Sequence, residues 1–229
     1  MSSSLSQLWW KNVVRFFCFR VSFAAFAWFL VPGPCSALAG AGIGTERVAV
    51  SGTPSKAQAR HSPRPSLLDL MGHRVDPFAA GAVKAYVFLF IDVDCPIANR
   101  YAPEIRRLHE RFSSAHVQFC LVYADPATSS AAIREHVKAF QLPGRALRDP
   151  AHEMVRISHV HVTPEAAVFL SNRQLVYHGR IDDRFVDFGK ERQAPTQRDL
   201  EQTLDAVVAG KTVLLSWTRA VGCSIPTTK

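Results

Sequence analysis

From Ser66 onward the apolar residues fall into short periodic runs separated by polar or Gly/Pro breaks. Leu67-Leu68-Asp69-Leu70-Met71-Gly72-His73-Arg74-Val75 predicts a short hairpin turned at Gly72. Ala85 to Val93 is almost continuously apolar, as expected of a strand covered on both faces. After Cys95-Pro96, the residues Ile97, Tyr101, Ile105, Leu108 and Phe112 recur at helical spacing and predict a helix burying that stripe. Val117 to Tyr123 predicts a second buried strand. Ile133, Val137 and Phe140 mark a second helix, opened by Thr128 or Ser129 and stopped before Pro143-Gly144. A short helix is expected over Pro150 to Ile157. Ala166 to Leu170 and Leu175 to His178 read as strands joined by the turn Ser171-Asn172-Arg173-Gln174. Leu200, Leu204 and Val207 mark a last helix, with Thr196 as its cap and Gly210 at its end. The resulting order, β-α-β-α-β-β-α, calls for an α/β fold. Crossover helices join parallel strands in its first half, and a hairpin with a covering helix forms its second.

The amino-terminal part has another pattern. Lys11, Arg15 and Arg20 precede the apolar run Val21 to Val31, Pro32-Gly33-Pro34 breaks it, and Ala37-Leu38-Ala39 follows. This is the three-part arrangement of a secretory signal, with cleavage expected after Ala39. The run is too short to cross about 30 Å of hydrocarbon, so no stable membrane span is expected after cleavage. Residues 40–65 are rich in Gly, Ala, Ser and Pro and read as a flexible linker. The folded domain is expected over 66–215 and a carboxy-terminal tail over 216–229. The expected location is periplasmic or extracellular.

Apolar residues make up 48% of the 229, enough for a real core, and the net charge is +8. Basic residues are mixed with acids, as in Glu104-Ile105-Arg106-Arg107, and no basic stripe alternates with aromatics, which argues against nucleic-acid binding. Cys18 and Cys35 leave with the signal. Cys95, Cys120 and Cys223 remain, an odd number, and an oxidising compartment permits a disulfide between two of them.

Cys95 lies where the first long strand feeds the first helix. Pro103 follows eight residues later, and Thr163-Pro164-Glu165 precedes the hairpin. With Asp94-Cys95-Pro96-Ile97-Ala98-Asn99-Arg100-Tyr101, Val162-Thr163-Pro164-Glu165-Ala166, Gly179-Arg180-Ile181-Asp182-Asp183-Arg184 and Ala220-Val221-Gly222-Cys223, the chain resembles the peroxiredoxin-like branch of thioredoxin-fold redoxin-domain proteins. The resemblance implies a thioredoxin-like fold over about residues 66 to 226 and an active cysteine at Cys95. It also implies a cis-proline loop at Thr163-Pro164. Three positions depart from the family's patterns. Ala98 stands where thioredoxins have their second cysteine, Leu89 where they have a buried acid, and Asp92 where peroxiredoxins have Thr or Ser.

A cysteine at a helix start faces backbone N–H groups, which favour the nucleophilic thiolate, while Asp92 and Asp94 oppose it if they point inward. Cys120, mid-strand, reads as a core residue. Cys223 in the tail is the candidate resolving thiol, since Ala98 cannot serve. The first expectation is a thiol-disulfide oxidoreductase or thiol peroxidase acting on protein thiols, disulfides or peroxide. In it Cys95 attacks, Cys223 resolves, and Thr163 and Pro164 shape access. The second is a soft-metal protein holding copper through Cys95, His161 and Cys223. The third is an interaction module without catalysis. His159 and His161 flank the Thr163-Pro164 loop as candidate bases or ligands. Asp182, Asp183 and Asp187, interleaved with Arg180, Arg184 and Lys190, are expected to form ion pairs rather than a cation site.

Overall fold

A computed structural model of the protein describes residues 64–79 and 81–226. The signal segment and nearly all of the linker lie outside these residues.

The core strand is β3 (Ala85–Phe90), in which every residue is buried. Its alternating side chains serve two different cores. Ala85, Val87 and Leu89 face one apolar cluster, while Tyr86, Phe88 and Phe90 face another. A strand buried on both faces needs no polar alternation, which is why its sequence reads as one apolar run.

Around β3 a seven-stranded sheet forms in the order β2-β1-β5-β4-β3-β7-β8. The hairpin of β1 (Leu67–Leu68) and β2 (Arg74–Val75) makes one edge. The strands β4 (Val117–Tyr123) and β5 (Arg145–Arg148) follow, and β3, β4 and β5 run parallel. On the other side of β3 come β7 (Glu165–Leu170) and β8 (Leu175–Gly179), each antiparallel to its neighbour. The strand β5 has no counterpart in the expected order. Leu147 is the only one of its residues that is fully buried, so no apolar run announces it.

The stripe Ile97, Tyr101, Ile105, Leu108 and Phe112 is buried as expected, but on two helices, α1 (Pro96–Arg100) and α2 (Ala102–Phe112). Pro103 has no N–H to offer the carbonyl of Asn99, and the helical run breaks at the preceding turn. Ser129, accepting the Ala132 N–H, caps α3 (Ser130–Ala139). The short α4 (Glu153–Ser158) starts later than expected, because Asp149 accepts the N–H groups of Glu153, Met154 and Val155.

The last helix, α5 (Asp199–Val208), ends as expected at Gly210. The Gly210 N–H bonds the Val207 carbonyl and the Lys211 N–H that of Ala206. Its expected cap is corrected. Arg198 holds the cap position without a side-chain capping bond, and Thr196 instead donates to Asp183. Ion pairs of Arg107 with Glu201 and of Arg111 with Asp205 tie α2 to α5.

Of the acidic cluster, only Asp183 forms an ion pair among the described residues, with a partner other than those expected, and Asp187 accepts the Phe188 N–H instead. Asp183 meets Arg192, Asp182 accepts the Tyr101 hydroxyl, and Arg180 is held by Asp199. Two short strands, β9 (Phe185–Asp187) and β10 (Lys190–Glu191), fold this segment into a hairpin. Arg100 of α1 pairs with Glu191 of β10 at 3.0 Å. The remaining strands, β6 (Val162–Thr163) and β11 (Cys223–Ser224), pair with each other. Among the described residues no helix is long and apolar enough to cross a membrane.

Candidate functional site

Beyond β3 the chain turns through Asp92 to Asp94, and the Cys95 N–H bonds the Asp92 carbonyl. Cys95 is thereby the N-cap of α1, and its Sγ accepts the Ala98 N–H at 3.5 Å. It is only 1% exposed. The turn is braced from behind by a chain of polar side chains that sequence reasoning did not single out. Asn99 Nδ2 donates to the Val93 carbonyl at 3.2 Å, and Asn99 Oδ1 meets His136 Nε2 at 2.7 Å. His136 Nδ1 meets the Tyr123 hydroxyl at 2.9 Å. These partners assign one neutral tautomer, with Nε2 donating to the amide oxygen and Nδ1 accepting from the tyrosine. Burial lowers the His136 pKa and keeps it in that form.

Opposite Cys95 stands Thr163, at the cis peptide bond with Pro164. As a thiol, Cys95 donates to the Thr163 carbonyl at 3.0 Å. Thr163 also receives the tail. Cys223 pairs with Thr163 and Ser224 with Val162, and the Ile225 N–H bonds the His161 carbonyl. Gly222 makes this approach possible, because a Cβ there would lie 2.1 Å from the Thr163 carbonyl oxygen.

A second clamp lies upstream. Thr218 Oγ1 bonds the Tyr177 hydroxyl at 2.7 Å and accepts the Arg180 N–H at 3.0 Å. Gly179 lets Thr218 sit this close, since a Cβ on it would fall 2.3 Å from Thr218 Oγ1. The segment read as a tail is thus fastened along β8 and β6.

The tail brings the Cys223 side chain beside that of Cys95, close enough for each thiol to shift the ionisation of the other. Both are free thiols in this structure. Burial pushes the Cys95 pKa up, but hydrogen bonds from the Cys223 thiol, the Ala98 N–H and Thr163 outweigh it, and the net shift is downward. The contact of Cys95 with the Thr163 carbonyl works the other way, since that oxygen accepts only from the protonated thiol. Cys223 is pushed up to about 12, by burial first and then by its role as donor to Cys95. Asp92 adds to that rise, so the acid acts on the tail thiol. Of the two thiols, Cys95 is therefore the easier to ionise. Cys120 is buried in the sheet and pushed up to about 12 by desolvation, consistent with a core role.

The histidines sit elsewhere. His159 ends α4 with its ring 5.9 Å from that of His178, and His161 lies in the same neighbourhood. The buried Glu165 accepts the N–H groups of His161 and Val162, which steadies the Thr163-Pro164 loop from the far side. Among the described residues no three of His, Cys, Asp and Glu are gathered as metal ligands.

No protein-family model matches the chain, and neither does any curated protein. Solved structures do. An uncharacterized conserved protein from Geobacillus kaustophilus has 22% identity, with 72% of this chain and 90% of that one covered at a TM-score of 0.62. A hypothetical protein from Sinorhizobium meliloti 1021 has 23% identity, with 72% and 91% covered at a TM-score of 0.61. A secreted Mycobacterium tuberculosis disulfide oxidoreductase matches with 17% identity over 64% of this chain and 96% of that one, at a TM-score of 0.44. The strand order, Cys95 at the start of α1 and the cis Thr163-Pro164 bond opposite it are those of a thioredoxin-like fold.

Proposed function

We propose that the protein is an exported thiol-disulfide oxidoreductase in which Cys95 is the nucleophile and Cys223 the resolving thiol. The observation that carries this reading is the seat of Cys223 on Thr163, the same residue whose carbonyl takes the Cys95 thiol at 3.0 Å. Export rests on the amino-terminal pattern ending at Ala37-Leu38-Ala39.

In the reductive direction the Cys95 thiolate attacks one sulfur of a substrate disulfide, forming a mixed disulfide and expelling a thiolate. That thiolate takes up the Cys223 proton. The Cys223 sulfur then attacks Cys95, closes the Cys95–Cys223 disulfide and releases the second substrate thiolate. Two electrons pass to the substrate, and a thiol donor restores the pair. The acidity difference sets the order of events: the thiolate attacks, and the protonated partner waits until Cys95 is consumed. Thr163 and Pro164 wall the approach to Cys95 and fix the distance of the tail.

Thiol trapping of unreduced protein, followed by peptide mapping, tests the reading. A Cys95–Cys223 crosslink within one chain is expected, and Cys223→Ser is expected to accumulate the mixed disulfide on Cys95. A Cys223→Ser protein that completes turnover without any small thiol present overturns the resolver role. Rapid consumption of hydrogen peroxide with Cys95 passing through a sulfenic acid, and no reaction with disulfides, would move the protein to the peroxidase class.

A further inference from the structure

A small basic cavity of about 140 Å³ adjoins the tail just before Cys223. Its lining includes Arg180, Arg192 and Arg219 together with Phe185, Val186 and Val221. Two of the arginines are already matched, Arg180 by Asp199 at 2.7 Å and Arg192 by Asp183 at 3.3 Å. Asp183 also lines the cavity, but its carboxylate is occupied by the Thr196 N–H and hydroxyl, the Gln197 N–H and Arg192. Arg219 is exposed and makes no ion pair or side-chain hydrogen bond among the described residues. The cavity therefore has one uncommitted guanidinium above an apolar wall. Val221 is two residues from Cys223, and an extended chain covers about 7 Å over that interval. Phe185 rests on Tyr101, ring centroids 5.3 Å apart, which places the cavity wall against the residue that follows α1.

Resting on the oxidoreductase reading above, we propose that this cavity selects substrates carrying a carboxylate a few atoms from the reacting sulfur. The guanidinium takes the carboxylate, and the apolar wall takes the short aliphatic spacer. A cavity of this size holds one such group, so the sulfur stays near Cys95 and Cys223. A small acidic disulfide and an acidic residue next to a cysteine in a peptide present the same chemistry.

The test compares rates of Cys95 oxidation by 3,3′-dithiodipropionate, bis(2-hydroxyethyl) disulfide and cystamine, which are anionic, neutral and cationic. Each rate is divided by that for the neutral compound, and the ratios are compared between proteins, so intrinsic reactivities cancel. For one exposed ion pair, Arg219→Gln is expected to lower the anionic-to-neutral ratio roughly two- to fivefold. Arg219→Glu should lower it further and raise the cationic-to-neutral ratio, and added salt should shrink the parent's preference. Arg156→Gln, on α4, removes the same charge away from the cavity and is expected to leave the ratios alone. A parent ratio that survives Arg219→Gln, or falls equally in Arg156→Gln, overturns the inference while leaving the oxidoreductase reading in place. Inertness of all three disulfides removes both. Mixed peptide disulfides differing only in Glu or Gln beside the cysteine separate the sources. A larger Arg219-dependent preference there than for dithiodipropionate assigns the cavity to peptides, and a smaller one to free acidic thiols.

Discussion

Replacing Gly222 with alanine perturbs the seat of the tail and little else. The added carbon would lie 2.1 Å from the Thr163 carbonyl oxygen, 2.6 Å from its carbon and 3.1 Å from the Pro164 nitrogen. All three are backbone atoms, so no side-chain rotation relieves the overlap. Ordinary contact begins at 3.4 Å, so the tail must withdraw from the carbonyl by roughly 1.3 Å. Only two residue pairs hold β11 to β6, and one of them is Cys223 with Thr163, so the retreat carries the thiol with it. Overpacking of this kind costs about 1–3 kcal/mol, which in a domain of this size lowers Tm by roughly 2–12 °C. The kinetic effect is expected to be larger, because misplacing reacting groups by about 1 Å can cost about 100-fold in rate. The assay is closure of the Cys95–Cys223 disulfide under a mild oxidant, quenched with iodoacetamide and read by mass spectrometry, beside a melting curve of the reduced protein. Slowing by about ten- to a hundredfold is expected. Ser224→Ala, on the same strand, adds no bulk and should leave both readouts unchanged. A Gly222→Ala protein that closes the disulfide at the parent rate and melts at the parent temperature would falsify the seating of the tail on Thr163 and Pro164.

Four further outcomes are expected. Cys95 should be alkylated with an apparent pKa below the ordinary thiol value of about 8.5, rising most in Cys223→Ala and less in Cys223→Ser, which keeps a donor; a profile indifferent to both variants excludes the thiol-thiol bond. A folded pKa below the unfolded one stabilises the reduced protein above the unfolded value, and that gain is lost as pH falls through the folded value. The Tm of the reduced parent relative to Cys95→Ser should therefore fall on acidification through that window, while Cys223, raised to about 12, opposes it only above the unfolded thiol value. Thr218→Val leaves the Arg180 N–H without its partner, while the Tyr177 hydroxyl keeps its bond to the Arg180 carbonyl, with an expected cost of about 1–3 kcal/mol and faster proteolysis between Lys211 and Trp217; unchanged proteolysis means the clamp does not hold the tail. Tyr101→Phe removes the 2.6 Å bond to the buried Asp182 carboxylate and should cost about 1.5–3 kcal/mol in urea unfolding, so a neutral substitution would show that water replaces it.

The elements readable in the sequence are those whose burial is large and periodic. The stripe from Ile97 to Phe112, the run that became β3, and the strands β7 and β8 all announce themselves by spacing. Cys95 was legible because it sits at a strand-to-helix junction, and Cys223 because no nearer thiol replaces Ala98. What escaped depends on contacts between distant residues. Leu147 alone buries β5, so that strand is defined by its neighbours β1 and β4. The Thr163–Cys223 ladder is two pairs long and joins residues far apart in sequence. Asn99, His136 and Tyr123 come from three elements, and none belongs to a motif. Thr196 was misread because a threonine before an apolar stripe suits a helix cap, while the folded chain offers its hydroxyl the buried Asp183 carboxylate.

The placement of the second thiol on a strand has a physical consequence. On a single helix, two cysteines a turn apart share the same N–H groups, and the helix fixes their separation. Here Ala98 supplies an N–H to Cys95 but no sulfur, and the partner arrives from the opposite wall of the site. Cys95 then has donors on both sides and Cys223 has none of its own in that set, so a proton shared between them rests on Cys223. Under the proposed roles, the asymmetry between attacker and resolver comes from the tail, which is fastened at Thr218 and again at Gly222. Loosening either fastening removes a hydrogen-bond donor from Cys95 and lengthens the path to disulfide closure together. A lesion in the tail should therefore slow attack and resolution in parallel, although it touches no substrate.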